Sequence, residues 1–149
     1  MKKITKPVFN GVALVCDDNT MNLVLICEHL KQAGFEVIVT TNGSDAVDFV
    51  TKRAQSSVGD ISETDNINYV KQFDIIFMDI HMPVMGGVEA TERIREIDSR
   101  IPVIAVTTDV SFKDVKKYSK HGFIDYIGKP YRTDELWQCV LKYLKPEQL

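Results

Sequence analysis

Three aspartates, two threonines and a lysine stand where short apolar runs stop. Asp17 and Asp18 follow "VALVC" over Val12 to Cys16, and Asp79 follows Ile75, Ile76, Phe77 and Met78. Thr107 and Thr108 end the run "VIAV" after Pro102, and Lys129 stands between "FIDYIG" and Pro130. Runs this short, apolar and rich in β-branched residues read as strands buried on both faces. If the strands are parallel, their carboxyl ends open on one edge of the sheet, where ligands collect in open α/β folds. Three carboxylates, a hydroxyl and an ammonium then converge. Two carboxylates about 4 Å apart repel by roughly 4 kcal/mol at an effective dielectric of about 20, so three together require a cation or a proton. An all-oxygen set suits Mg²⁺, with Mn²⁺ as the alternative; Mg²⁺ keeps several waters and completes its shell with phosphate oxygens.

Such a site suits phosphoryl transfer onto a carboxylate, because a metal and a fixed cation neutralise the charge on the transferred group. Asp79, alone at the end of its strand, is the candidate nucleophile. Asp17 and Asp18, being paired, are the candidate metal ligands. Lys129 supplies the point charge, and the Thr107 hydroxyl can bond a phosphoryl oxygen that exists only after transfer, which makes it a sensor. Taken singly, each residue has a plainer reading. The acid pair could stabilise a helix N-terminus, Lys129 could be solvated, and Thr107 could be a strand-end hydroxyl. His81 reads as a loop residue, since Mg²⁺ prefers oxygen to imidazole. Their joint occurrence at strand ends favours a site.

The segments between these strands must hold them in place. Leu23, Ile26, Cys27 and Leu30 recur at helical spacing between Met21 and Gln32, and Gly34 ends that helix. "FEVIVTT" is a second strand, and Ser44 is expected to cap a helix to about Arg53 with Ala46, Val47 and Val50 facing inward. After the loop "MPVMGG", Val88, Ile94 and Ile97 mark a third helix. Ser111 and Asp114 have capping-box spacing for a fourth, and Thr133 with Asp134 and Glu135 opens a last helix through Leu144. Five strands alternating with five helices argue an α/β fold, a doubly wound parallel sheet covered on both faces. The 149 residues, 44% apolar and 26% charged, suit a single domain with its core at about 11–145. Residues 54–72 exceed the usual connection of about 2–6 residues. They read as an inserted polar loop, or as a partner-binding element using Ile61, Ile67, Tyr69 and Val70.

Composition removes several classes of function. A net charge of −3 with scattered lysines gives no reason to expect direct nucleic-acid binding. No eighteen apolar residues run together and none follow the opening lysines as a signal segment, so membrane insertion is not expected and the cytoplasm is. Cys16, Cys27 and Cys139 lie in apolar periodic segments and read as buried reduced thiols without chemistry.

"VCDDNTMN", "MDIHMPVMGG", "AVTT" and "YIGKP", in this order, resemble the acidic, phosphoacceptor, threonine and lysine motifs of the receiver domain of two-component response regulators. The likeness is greatest to receivers of hybrid histidine kinases and covers nearly all of Val12 to Leu144. It implies the flavodoxin-like strand order 2-1-3-4-5. It implies Mg²⁺ on Asp17, Asp18, Asp79 and the backbone carbonyl of His81, and a phosphoryl group on Asp79 in contact with Thr107 and Lys129. Tyr126 becomes the aromatic switch, with a half-buried strand aromatic as its plainer reading. A cis peptide is implied before Pro130. The donor would be a histidine kinase or a histidine phosphotransfer protein, the switched face 111–144, and the assembly at most a transient homodimer. The chain would be a signalling phosphoacceptor rather than an enzyme. Gly86 departs from the aspartate frequent in the family. Thr108 replaces a commonly smaller residue, and its bulk is expected to shield the phosphoryl group.

Other classes fit less well. No G-x-x-x-x-G-K-[ST] run is present to cradle nucleotide phosphates, and "CDDNT" is an acidic first loop unlike that of a flavin or dinucleotide binder. A haloacid-dehalogenase-type phosphatase would want a second aspartate where His81 stands. A Mg²⁺-dependent phosphatase using Asp79 as nucleophile, and a docking pseudo-receiver that is never phosphorylated, remain the alternatives. A pseudo-receiver would usually lack Asp79 or the acid pair.

Overall fold

A computed structural model describes residues 7–58, 71–108 and 112–147. The elements alternate along the chain: β1 (Gly11–Cys16), α1 (Thr20–Gln32), β2 (Phe35–Thr40), α2 (Gly43–Val58), β3 (Ile75–Asp79), α3 (Gly87–Ile97), β4 (Val103–Thr107), α4 (Phe112–Lys120), β5 (Asp125–Gly128) and α5 (Thr133–Tyr143). The strands form one parallel sheet in the order β2-β1-β3-β4-β5. This is the doubly wound α/β fold expected from the motifs.

Strand alternation divides the apolar residues between two cores. Ala13, Val15, Phe77, Ile104 and Val106 face α1 and α5, where Leu23, Leu30, Leu136 and Val140 close the layer. Leu14, Ile76, Met78, Val103 and Ala105 face the other way, onto Ala46 and Val50 of α2, Ala90 and Ile94 of α3, and Tyr118 of α4. Every residue of β3 and β4 is buried, whereas the edge strand β2 is buried only at its two ends. The strand that bears Asp79 is therefore held from both faces and both sides.

The observed boundaries differ from expectation where capping decides them. Asn42, not Ser44, caps α2: its side-chain oxygen accepts the Asp45 N–H at 2.9 Å. The helix then runs to Val58, five residues past Arg53, because "AQSSV" contains no glycine or proline to stop it. Residues 54–58 of the expected inserted loop are thus helical, and 59–70, including Ile61, Ile67, Tyr69 and Val70, lie outside the described residues. The expected Ser111 cap lies outside them too. Arg53 ties the end of α2 to the approach to β3, donating to the Lys71 carbonyl at 2.6 Å and lying 4.3 Å above the Phe73 ring. Among the described residues no helix is long and apolar enough to cross a membrane.

The loop from β3 to α3 folds back tightly under the tip of its strand. Met85 N–H donates to the Pro83 carbonyl at 2.7 Å across Val84, whose φ of 67° is strained for a β-branched residue. Gly87 N–H then donates to the Ile80 carbonyl at 2.9 Å. A Cβ on Gly87 would collide with the carbonyl oxygen of Asp79, so only glycine lets α3 begin there. Gly87→Ala should cost about 1–3 kcal/mol, the usual range for forced overpacking, read as a lower urea midpoint. An unchanged midpoint would show that the loop yields freely.

Candidate metal and phosphoryl site

β1 and β3 are adjacent, with Cys16 opposite Met78, so Asp17 and Asp79 emerge side by side at the next position. Both are buried, while Asp18 is exposed at the rim. One carboxylate oxygen from each of the three lies within 4.8 Å of the others. Asp17 is fixed from below, its Oδ1 accepting the Asn19 N–H at 2.9 Å. Asn19 in turn caps α1, accepting from the N–H groups of Met21 and Asn22 at 3.0 and 3.2 Å. The helix start and the acidic loop are therefore one structure.

Lys129 enters from the other side of the sheet. Its backbone N–H donates to the Thr107 carbonyl at 2.8 Å, extending the β4–β5 ladder by one residue. Its Nζ reaches Asp17 Oδ2 at 2.9 Å and Asp79 Oδ2 at 3.3 Å. The Lys129–Pro130 bond is cis, as the resemblance implies. Burial favours loss of the lysine proton, but the two carboxylates outweigh it and hold the ammonium above its ordinary range. Asp79 is pushed above the usual carboxylate range, first by burial and then by the charge of Asp17, with Lys129 only partly offsetting the rise. Among the described residues one cation, Lys129, pairs within this cluster of three carboxylates. An all-oxygen donor set with excess negative charge fits a divalent ion of the Mg²⁺ type.

The other expected residues are placed as follows. Thr107 is buried at the end of β4, and Thr108 beyond it is exposed. Tyr126, on β5, is 39% exposed and so presents its ring outward. His81 is exposed in the loop, its N–H lying 3.4 Å from Asp79 Oδ1. Cys16 and Cys139 are buried thiols pushed up to about 12, chiefly by burial, and Cys27 is half-buried rather than buried. Sequence reasoning passed over Asn19 and Tyr131. The spacing Asn19-x-x-Asn22 before an apolar run was a legible capping signal; Tyr131 had none, since its neighbours come from elements distant in the chain, among them β1, α1, β3 and β4. A groove of about 780 Å³ over Leu23, Val24, Cys27, Val37 and Val39 contains none of the three carboxylates.

A five-stranded parallel sheet with an acid cluster and a half-buried lysine at its carboxyl edge is the arrangement expected of a receiver domain. Residues 13–141 match the response regulator receiver domain, and the chain belongs to that family. It is 35% identical over 131 residues to hybrid signal transduction histidine kinase I of Dictyostelium discoideum, covering 85% of this chain and 7% of that protein. It is 28% identical over 132 residues to a Saccharomyces cerevisiae transcription factor, SKN7, covering 89% of this chain and 18% of that protein. The chain thus spans less than a fifth of these relatives. Among solved structures, the receiver domain of a Pseudomonas aeruginosa sensor histidine kinase, with magnesium coordinated in its active-site cleft, superposes with a TM-score of 0.70. That match has 26% identity and covers 90% of this chain and 97% of the other. The protein is a receiver domain of two-component signalling.

The raised affinity of Asp79 for a proton has a measurable consequence. Between the unfolded carboxyl's ordinary 3.8 and its higher folded value, the folded state binds the extra proton, so this group makes stability fall as pH rises. In metal-free buffer Asp79→Asn should therefore melt higher than wild type at neutral pH, by about 3 °C per kcal/mol of relieved repulsion. The gain should vanish as pH drops below the carboxylate range. Equal melting temperatures at pH 7 would contradict the assignment of Asp79 as the strained acid.

Proposed function

We propose that Asp79 accepts a phosphoryl group from a phosphohistidine on a histidine kinase or histidine phosphotransfer protein. The observation that supports this best is the single Lys129 ammonium shared by two buried carboxylates beside a third. An oxygen of Asp79 attacks phosphorus, the P–N bond to histidine breaks, and the freed imidazole nitrogen takes a proton. Asp17, Asp18, Asp79 and the carbonyl of His81 would hold Mg²⁺, which supplies charge neutralisation for the phosphoryl oxygens. Lys129 orients the attacking carboxylate and then pairs with the transferred group. Thr108, exposed at the mouth of β4, limits the approach of water to the acyl phosphate. Placement in the cytoplasm belongs to the same reading and is supported by three cysteines that remain thiols.

Incubated with Mg²⁺ and a small phosphodonor, the wild type should gain one phosphate by intact mass, and neither Asp79→Asn nor the chelated wild type should. A persistent adduct on Asp79→Asn would overturn the assignment of the acceptor. In the subsequent decay Thr108→Ala should lose phosphate faster, and an equal or longer half-life would remove the shielding role.

The same reading assigns the response to the face 111–144. A phosphoryl oxygen offers the Thr107 hydroxyl an anionic acceptor, and a charge-assisted hydrogen bond of about 1.5–3 kcal/mol draws it inward. The space beside Tyr126 then admits its ring. Energies of this size shift a two-state equilibrium by roughly ten- to a hundredfold. Amide shifts on adding a phosphoryl mimic with Mg²⁺ should extend into β5 and α5 in the wild type and stay in the pocket in Thr107→Ala. An intact response in that variant would refute the coupling.

A further inference from the structure

Behind the Asp17–Lys129 ion pair lies a small cavity of about 10 Å³, whose polar lining is Asp17, Asn22, Lys129 and Tyr131. The Tyr131 ring packs against the core shared with α1 and α5, but its hydroxyl is buried without a hydrogen-bond partner among the described residues. Packing alone would be served by phenylalanine. A hydroxyl at that spot needs an acceptor or a donor, and the cavity is about the size of one water with enough polar groups around it to hold one.

We propose that Tyr131 is a positioning residue for the metal site, its hydroxyl donating to an ordered water that donates in turn to the carboxylate of Asp17. The Asn22 side-chain amide completes the water's surroundings. Asp17 already spends Oδ1 on the Asn19 N–H and Oδ2 on Lys129. A divalent ion arriving at this carboxylate competes with Lys129 for Oδ2. The water-bridged tyrosine keeps the carboxylate aimed while that exchange occurs. Groups that orient a metal ligand from behind in this way typically contribute about 10–100-fold to metal affinity. The inference rests on the reading of Asp17 as a metal ligand.

Calorimetric titration of the metal-free chain with Mg²⁺ alone separates the two claims. Tyr131→Phe keeps the ring and should bind Mg²⁺ about tenfold more weakly, while Asp17→Asn should also weaken binding. If Asp17→Asn weakens binding and Tyr131→Phe stays within about twofold of wild type, the role of Tyr131 is overturned and the metal assignment stands. If Asp17→Asn binds as wild type does, the metal assignment falls and the proposal with it. A purely structural role for the hydroxyl would lower the melting temperature of Tyr131→Phe and leave Mg²⁺ affinity unmoved. A high-resolution crystal structure gives the direct readout: a water within hydrogen-bond reach of Tyr131 Oη and Asp17 in the wild type supports the bridge, and its absence overturns it.

Discussion

Lys129 holds together two carboxylates that would otherwise drive their strands apart. With Nζ at 2.9 Å from Asp17 and 3.3 Å from Asp79, it joins the tips of β1, β3 and β5 across the carboxyl edge of the sheet. A buried pair of like charges is tolerated only with such a partner, and a single ammonium leaves the cluster short of positive charge. The shortage keeps Asp79 above its ordinary proton affinity and leaves an oxygen donor set that fits a divalent ion. The domain accepts an electrostatic cost at its edge because the sheet beneath it is rigid.

That rigidity has a simple origin. β3 is flanked by β1 and β4 and covered on both faces, so its five residues are fully enclosed and Asp79 cannot shift without disturbing two cores. The loops around the site are tied down in turn. Asn19 links the acidic loop to α1, Asn42 starts α2, and the turn at Val84 with the close approach of Gly87 returns the chain beneath Asp79. The strained φ of Val84 lies in this loop, where strain is most often stored near function.

The opposite half of the sheet is built less tightly. β5 is four residues long, and Tyr126 stands 39% exposed on it. Asp125 anchors its start by accepting from the Tyr126 N–H at 2.8 Å and from the Tyr143 hydroxyl at 2.8 Å, which joins β5 to the last turn of α5. The enclosed strand β3 thus stands two strands away from the shorter, more exposed β5, with β4 between them.

Much of this was legible in the chain itself. Short apolar runs ending in Asp17, Asp79, Thr107 and Lys129 determined the strands, their burial and the family, because burial on both faces leaves a periodicity-free apolar signature and each run ends on a polar group that a core would reject. The order of elements determined a parallel sheet, since helical crossovers allow little else. The end of α2 and the cap at Asn42 were less legible, because local hydrogen bonds choose among several polar candidates near a turn. Only the tertiary structure decided that one ammonium is shared by Asp17 and Asp79, that Asp18 stays at the rim, and that Tyr131 and Asp17 line one small cavity. Those relations join residues far apart in the chain, Lys129 with Asp17 and Asp79 among them, and distance in space across a sheet edge leaves no periodic trace along the chain.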